Sequence, residues 1–574
     1  MLIQATLLLT TLGFLVSAAP NCRCLYGQPC WPPTSAFALL SQSLSQPLIH
    51  PTPIALPCYQ NASSDACSTV KARFTDALWR PDQPGGYEKQ NFESYTQPNG
   101  TIDACYLSTS LGAPCKQGSI PPIGVDARTV KDIQVALEFV RKWNLRVVVK
   151  NTGHDYQGRG AGRGAFMIWT HRMKKITYDE KFVPVGGPKN VTFQAITTSA
   201  GDQWGDAYAF AAQHNRMLIG AFSLGGSVGT SGGFAMGGGI SVFSPKYGLG
   251  IDNILQITII TANGTLLVLN AHTHTDLFWA HLGGGPGTFG VLTSVTYNTH
   301  PSFPVIIATF HVNLTSGGPD AAKKILVESI KNIPKFTDMG WGGLMYILRP
   351  TGMLNGLWAI PGPDPPQNVI RSLLDPYAHF INATSNGNGG IAYTTSSSFY
   401  TWYDQTFLGT SGPQVTGNIL VGSRLLDREL AEKSTESVVD RILEVDSAFK
   451  GFEMVLGGKV SKPTSTGSIN PVFRSSLASI FINEAWADGT NSTVINQQIE
   501  RLKKNIGVLD GISKGSGSYM NSGSLFEKNF QKTFYAASYP RLLAIKKRYD
   551  PTSLFVVANG VGSEEWDREL VCRV

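Results

Sequence analysis

The sequence predicts an α+β protein of two units, a glycine-rich first half and a more ordinary second half, and three observations carry that prediction. An apolar strand at residues 145–149 runs straight into a glycine-rich loop, 17 of the 61 glycines crowd into residues 220–290, and the composition changes beyond Pro301. Glycine at such density either turns the chain tightly or lets backbone press against a ligand. At 574 residues the chain is long enough for two or three domains with cores of their own.

The elements follow in order. Residues 1–19 form an apolar run ending in small residues at Val16-Ser17-Ala18, the pattern of a leader removed on secretion. Residues 20–116 are rich in Pro, Ser and Cys and predict a disulfide-stapled N-terminal region. Seven of the eight cysteines lie there (Cys22, Cys24, Cys30, Cys58, Cys67, Cys105 and Cys115), and Cys572 sits near the end. An even count in an exported chain implies disulfides and leaves their connectivity open. Asparagines 61, 99, 190, 263, 313, 382 and 491 each open an N-x-S/T sequon, so N-glycans are expected.

From Ile120 the pattern becomes periodic. Thr129 caps a helix carrying Val130, Ile133, Leu137 and Val140 on one face, with Asp132 in the capping-box position. Leu145–Val149 reads as a buried strand, Val191–Thr198 as another, and Asp206–His214 as a helix. Ile254–Ile260 and Thr265–Leu269 read as strands about a turn at Asn263-Gly264, and Val291–Tyr297 as a further strand. Beyond Pro301, helices are expected at Asp320–Ile333, Glu429–Phe449 and Thr493–Gly507, and a tail helix opens at Pro540 and stops before Pro551.

Composition excludes several classes. Apolar residues make up 42% and charged residues 15%, the net charge is +7, and the basic residues are scattered, so no nucleic-acid face is expected. No later stretch is long and apolar enough to span a membrane. Gly285-Pro-Gly-Thr-Phe-Gly290 has dinucleotide-fingerprint spacing, but a strand-like run follows where that fingerprint needs a helix. Gly229-Thr-Ser-Gly-Gly233 has hydrolase-elbow spacing without the strand-to-helix context. His272 and His274 lack a third ligand, so no metal site is expected.

An ordered set of motifs remains: Asn151-Thr-Gly-His154 after a buried strand, the glycine-rich segment 220–239, Lys246-Tyr-Gly-Leu-Gly-Ile-Asp-Asn253, Phe278-Trp-Ala-His281 leading into Gly283–Gly290, and the tail pieces Tyr539-Pro-Arg541 and Gly560-Val-Gly-Ser-Glu564. Together these resemble the vanillyl-alcohol-oxidase flavoprotein superfamily, in its berberine-bridge-enzyme-like branch of secreted oxidases, similar to fungal isoamyl alcohol oxidase. The resemblance covers residues 117–300 and 515–574. It implies a PCMH-type FAD-binding domain of two subdomains over residues 117–300. A separate α+β substrate domain over 301–514 and a C-terminal segment, 515–574, returning to the first complete it.

It further implies FAD held by one covalent bond from an imidazole nitrogen of His154 to the flavin 8α carbon, which needs a neutral imidazole. Relatives with a second, cysteinyl bond carry it where this chain has Gly225, and no cysteine lies between Cys115 and Cys572, so a double attachment is excluded. The flavin contacts carried over are Asn151, Thr152, Gly153, Asp155, Gly158, Arg159, Gly160, Gly225, Gly226, Ser227, Gly229, Gly232, Gly233, Asp252, Asn253, Gly290, Val291 and Asn521. Tyr519 is the expected proton acceptor, with Arg474 lowering its pKa. Ile240, Ser522 and Ser538 depart from the residues usual in the family. The expected reaction is oxidation of an alcohol or a secondary metabolite with O2 as acceptor, by a secreted monomer. A carbohydrate oxidase, or a flavin scaffold that cyclises or binds without redox turnover, are the alternatives.

Overall fold

A computed structural model describes residues 22–349, 351–362, 367–408, 417–463, 467–515 and 517–574. The leader expected over residues 1–19 lies outside them.

The first sheet has four strands in the order Leu48–Ile49, Ile123–Asp126, Phe166–Trp169 and Val147–Lys150. Its last three strands run parallel. Strands buried on both faces read as continuous apolar runs, which is how Val147-Val-Val149 and Phe166-Met-Ile-Trp169 read. The helix Val130–Lys142 covers this sheet and begins with the expected capping box, Thr129 and Asp132 each bonding the other's backbone.

The second sheet is antiparallel, in the order Leu266–Asn270, Ile254–Ile260, Val291–Asn298, Phe193–Ser199 and Thr177–Phe182. The third holds seven antiparallel strands, Gly389–Ser396, Val305–Asn313, Met353–Pro361, Gly342–Leu348, Phe449–Met454, Ser476–Trp486 and Asn418–Asp427. Its helices include Gly318–Asp338 and Ser492–Leu509, close to expectation, and the tail helix runs Tyr539–Tyr549.

One expected helix fails. Residues 429–449 form two short helices, Arg428–Lys433 and Thr435–Glu444, after which Val445 turns extended and Phe449 opens a strand. Ser434 breaks the first helix, and pairing between two neighbouring strands overrides the helical apolar spacing at its end.

The N-terminal region is part of this framework. Strand 48–49 extends the first sheet, and disulfides join Cys22 to Cys572, Cys24 to Cys30, Cys58 to Cys67 and Cys105 to Cys115. The first of these ties the two ends of the described chain together. Among the described residues no helix is long and apolar enough to cross a membrane, and no group of acidic, histidine or cysteine residues could hold a metal ion.

Candidate active site

A cavity of about 310 Å³ is lined by residues of all three sheets: Val147–Lys150 of the first, Val291 and Leu292 of the second, and Glu453 of the third. Loops complete it, chiefly 151–160, 228–234 and 286–290, with Tyr519, Asn521, Ser522 and the tail residues Phe555, Val556 and Val557.

The loop after strand 147–150 supplies the donors. Gly153 and Gly158 have φ of +86° and +68°, which side chains disfavour, and the loop curls back on itself there. Among the described residues, the backbone N–H groups of Thr152, Gly153, His154 and Asp155 donate to no protein acceptor. Four successive free amides on a cavity wall suit an anionic ligand such as a pyrophosphate. Arg159 and Asp155 neutralise each other in a two-pronged pair at 2.7 Å, which rigidifies the loop. Elsewhere in the cavity lining, a Cβ added at Gly232 or Gly233 would meet no atom within 4 Å, so these glycines leave room for a ligand. Free amides and open space beside glycines in the same cavity fit FAD.

His154 stands in the cavity with its side chain 17% exposed. Its Nε2 lies 2.7 Å from Ser227 Oγ and 3.9 Å from Glu88 Oε1. Burial, aided by the Lys89 ammonium, pushes its pKa down to about 3, so the ring is neutral.

Tyr519 lines the same cavity and is 5% exposed. Its hydroxyl accepts from Asn521 Nδ2 at 2.9 Å, and that amide also donates to the Gly233 carbonyl at 2.9 Å. Burial raises the phenol's pKa above its ordinary value; the Asn521 bond opposes the rise and Glu453 adds to it. Arg474 is not brought to bear on it. Instead Arg474 clasps Asp252 with two bonds of 2.8 and 2.7 Å. The guanidinium expected to ease ionisation of Tyr519 is thus paired with the Asp252 carboxylate.

Glu453, which sequence reasoning missed, takes a more suitable place. It lies on strand Phe449–Met454, opposite Ser479, and lines the cavity. Burial pushes its pKa up to about 7, and the Ser479 hydroxyl offsets this only in part. A carboxyl so poised exchanges protons near neutrality. A lone glutamate in a strand carries no sequence signal that could have found it.

Of the expected flavin contacts, Asn151 to Asp155, Gly158 to Gly160, Gly229, Gly232, Gly233, Gly290, Val291 and Asn521 line the cavity, whereas Gly225, Gly226, Ser227, Asp252 and Asn253 do not. Ser227 instead reaches the His154 ring by a hydrogen bond. Gly226 is needed for packing, since a Cβ there would meet Gly205 Cα at 2.6 Å. Asp252 binds Arg474 and the Leu249 amide, and Asn253 binds the Tyr247 and Leu249 carbonyls and His300. Both brace the fold around residues 247–253.

A glycine-lined cavity with free amides, a neutral histidine and a buried carboxyl is the site of an FAD-binding flavoprotein. Comparison with known proteins agrees. The FAD binding domain family matches residues 121–270, and the berberine and berberine-like family matches residues 518–562. An FAD-linked oxidoreductase of Arthroderma benhamiae is 32% identical over 94% of each chain. The FAD-linked oxidoreductase malF of Malbranchea aurantiaca is 32% identical, covering 96% of this chain and 94% of that one. The crystal structure of the VAO-type flavoprotein MtVAO615 from Myceliophthora thermophila superposes with a TM-score of 0.85 at 27% identity, over 96% of this chain and 100% of that one. The chain belongs to the berberine-bridge-enzyme-like branch of the vanillyl-alcohol-oxidase superfamily and is an FAD-dependent oxidoreductase.

Proposed function

We propose that the protein oxidises an alcohol, free or borne on a secondary metabolite, with FAD held by a single covalent bond through His154 and O2 as final acceptor. The observation that carries this reading is Glu453, a carboxyl with a pKa near 7 in the same cavity as a neutral histidine. The flavin, when bound, supplies the hydride-accepting chemistry. The chain's own residues do the rest. Glu453 takes the hydroxyl proton of the substrate. Tyr519 stays protonated and orients that hydroxyl by hydrogen bonding, while Asn521 holds Tyr519 to the Gly233 wall. The amides of residues 152–155 hold the pyrophosphate. The disulfides support a secreted, small-molecule enzyme, and we read it as a monomer without nucleic-acid or membrane partners.

Anaerobic mixing with panels of primary, secondary and aromatic alcohols, and with sugars, tests the reading. The visible flavin absorbance should bleach with an alcohol and return on admitting O2, with hydrogen peroxide formed. A flavin that stays oxidised with every alcohol in the panel contradicts it.

A further inference from the structure

Glu88 is a buried carboxyl without a hydrogen-bond partner on either oxygen, a costly state for a side chain with no exposed surface. The fold holds it firmly beside His154. Its backbone N–H donates to the Gly153 carbonyl at 3.1 Å, and the neighbouring Tyr87 hydroxyl donates to the Gly160 carbonyl at 2.9 Å. These two bonds clasp segment 87–88 of the N-terminal region onto both ends of the histidine loop. Glu88 Oε1 lies 3.9 Å from His154 Nε2, and a shift of about 1 Å closes a hydrogen bond. The other ring nitrogen, Nδ1, bonds to no protein atom among the described residues, which leaves it as the nucleophile.

We infer that Glu88 accepts the proton that His154 must lose when its imidazole becomes bonded to the flavin, so that the N-terminal region builds the tethering site. This rests on the covalent reading above. In the step, a bond forms between Nδ1 and the flavin 8α carbon while a C–H bond of that methyl group breaks. The C–H proton passes to solvent, the two electrons of that bond pass into the flavin ring, and the Nε2 proton passes to Glu88 once the ring has shifted toward it from Ser227 Oγ, which lies at 2.7 Å. O2 then reoxidises the flavin, yielding hydrogen peroxide. Arg80, Lys89 and Glu93 face Glu88 from its own segment, and Lys150, His154 and Tyr156 face it from the strand and loop beyond. Burial outweighs the three cations and pushes the Glu88 pKa up to about 8, within the range where a base works well.

The test follows covalent attachment directly. Full-length protein with incompletely attached flavin is incubated with FAD in air, and in-gel flavin fluorescence after denaturation is read over time and across pH. Glu88→Gln should bind FAD as tightly as the parent yet attach it about 100-fold more slowly. The parent's rise in attachment rate through pH 8 should vanish in this variant, and Glu88→Asp should recover part of the rate. Parent-like attachment by Glu88→Gln, with a covalently loaded parent, overturns this inference alone. Flavin released freely from the denatured parent overturns it together with the covalent reading. Should Glu88→Gln fail to fold, slowed attachment by Glu88→Asp supports the inference and an unchanged rate overturns it.

Discussion

His154 Nε2 lies 2.7 Å from Ser227 Oγ, so a serine from the glycine-rich segment fixes the ring of a histidine from a different loop. Ser227 is fully buried, and its removal leaves the ring nitrogen without that partner. Ser227→Ala should cost about 1–3 kcal/mol of stability and slow flavin attachment; denaturant melts and in-gel fluorescence check the two effects.

With Glu453 as the proposed proton acceptor, its titration should set the pH dependence of turnover. With its pKa near 7, the carboxyl is protonated and unable to accept below that pH and ionised above it. The rate of flavin reduction should therefore rise with pH and level off above about 7. Glu453→Gln should lower that rate by about 10² to 10⁴-fold and abolish the limb. A preserved limb in the variant would place the acceptor elsewhere.

Tyr519 makes a contrasting prediction. Because burial keeps its phenol neutral, Tyr519→Phe should slow reduction without moving the pH midpoint. A midpoint that moves would assign the titration to the tyrosine.

Arg474 and Asp252 are 17% and 6% exposed in their side chains, so breaking their pair strands a nearly buried carboxylate. Arg474→Met should destabilise the protein by about 3 kcal/mol, measured by thermal melting, and leave the pH profile of flavin reduction unchanged.

Gly232 tests the room for the ligand. Nothing lies within 4 Å of a Cβ placed there, so Gly232→Leu should fold normally. The added side chain enters the cavity, and flavin occupancy should fall at least about tenfold, since preformed pockets tolerate overpacking poorly. Absorbance per mole of folded protein measures it.

The flavin-side half of this picture was legible because its signals are local. A capped amphipathic helix, an apolar strand and a glycine-histidine loop follow one another within residues 129–160, and their order survives folding. The catalytic half was not. Glu453 becomes special only when its strand pairs between Gly342–Leu348 and Ser476–Trp486, and the helical spacing that masked Phe449 hid that strand. Glu88 was hidden for a similar reason. It sits in a proline- and serine-rich region whose cysteines suggested only stapling, and its place beside His154 comes from backbone bonds across 65 residues of sequence, to Gly153. The pairing of Arg474 with Asp252 was equally hidden, because the two residues lie 222 positions apart in the sequence.

The account stands on one flavin bonded to one imidazole. Acid precipitation of the purified protein, beside its His154→Ala variant, examines that bond most directly. The parent pellet should be yellow with a colourless supernatant, and the variant should release all its flavin into solution. Flavin released from the parent, or retained in the variant's pellet, would contradict it.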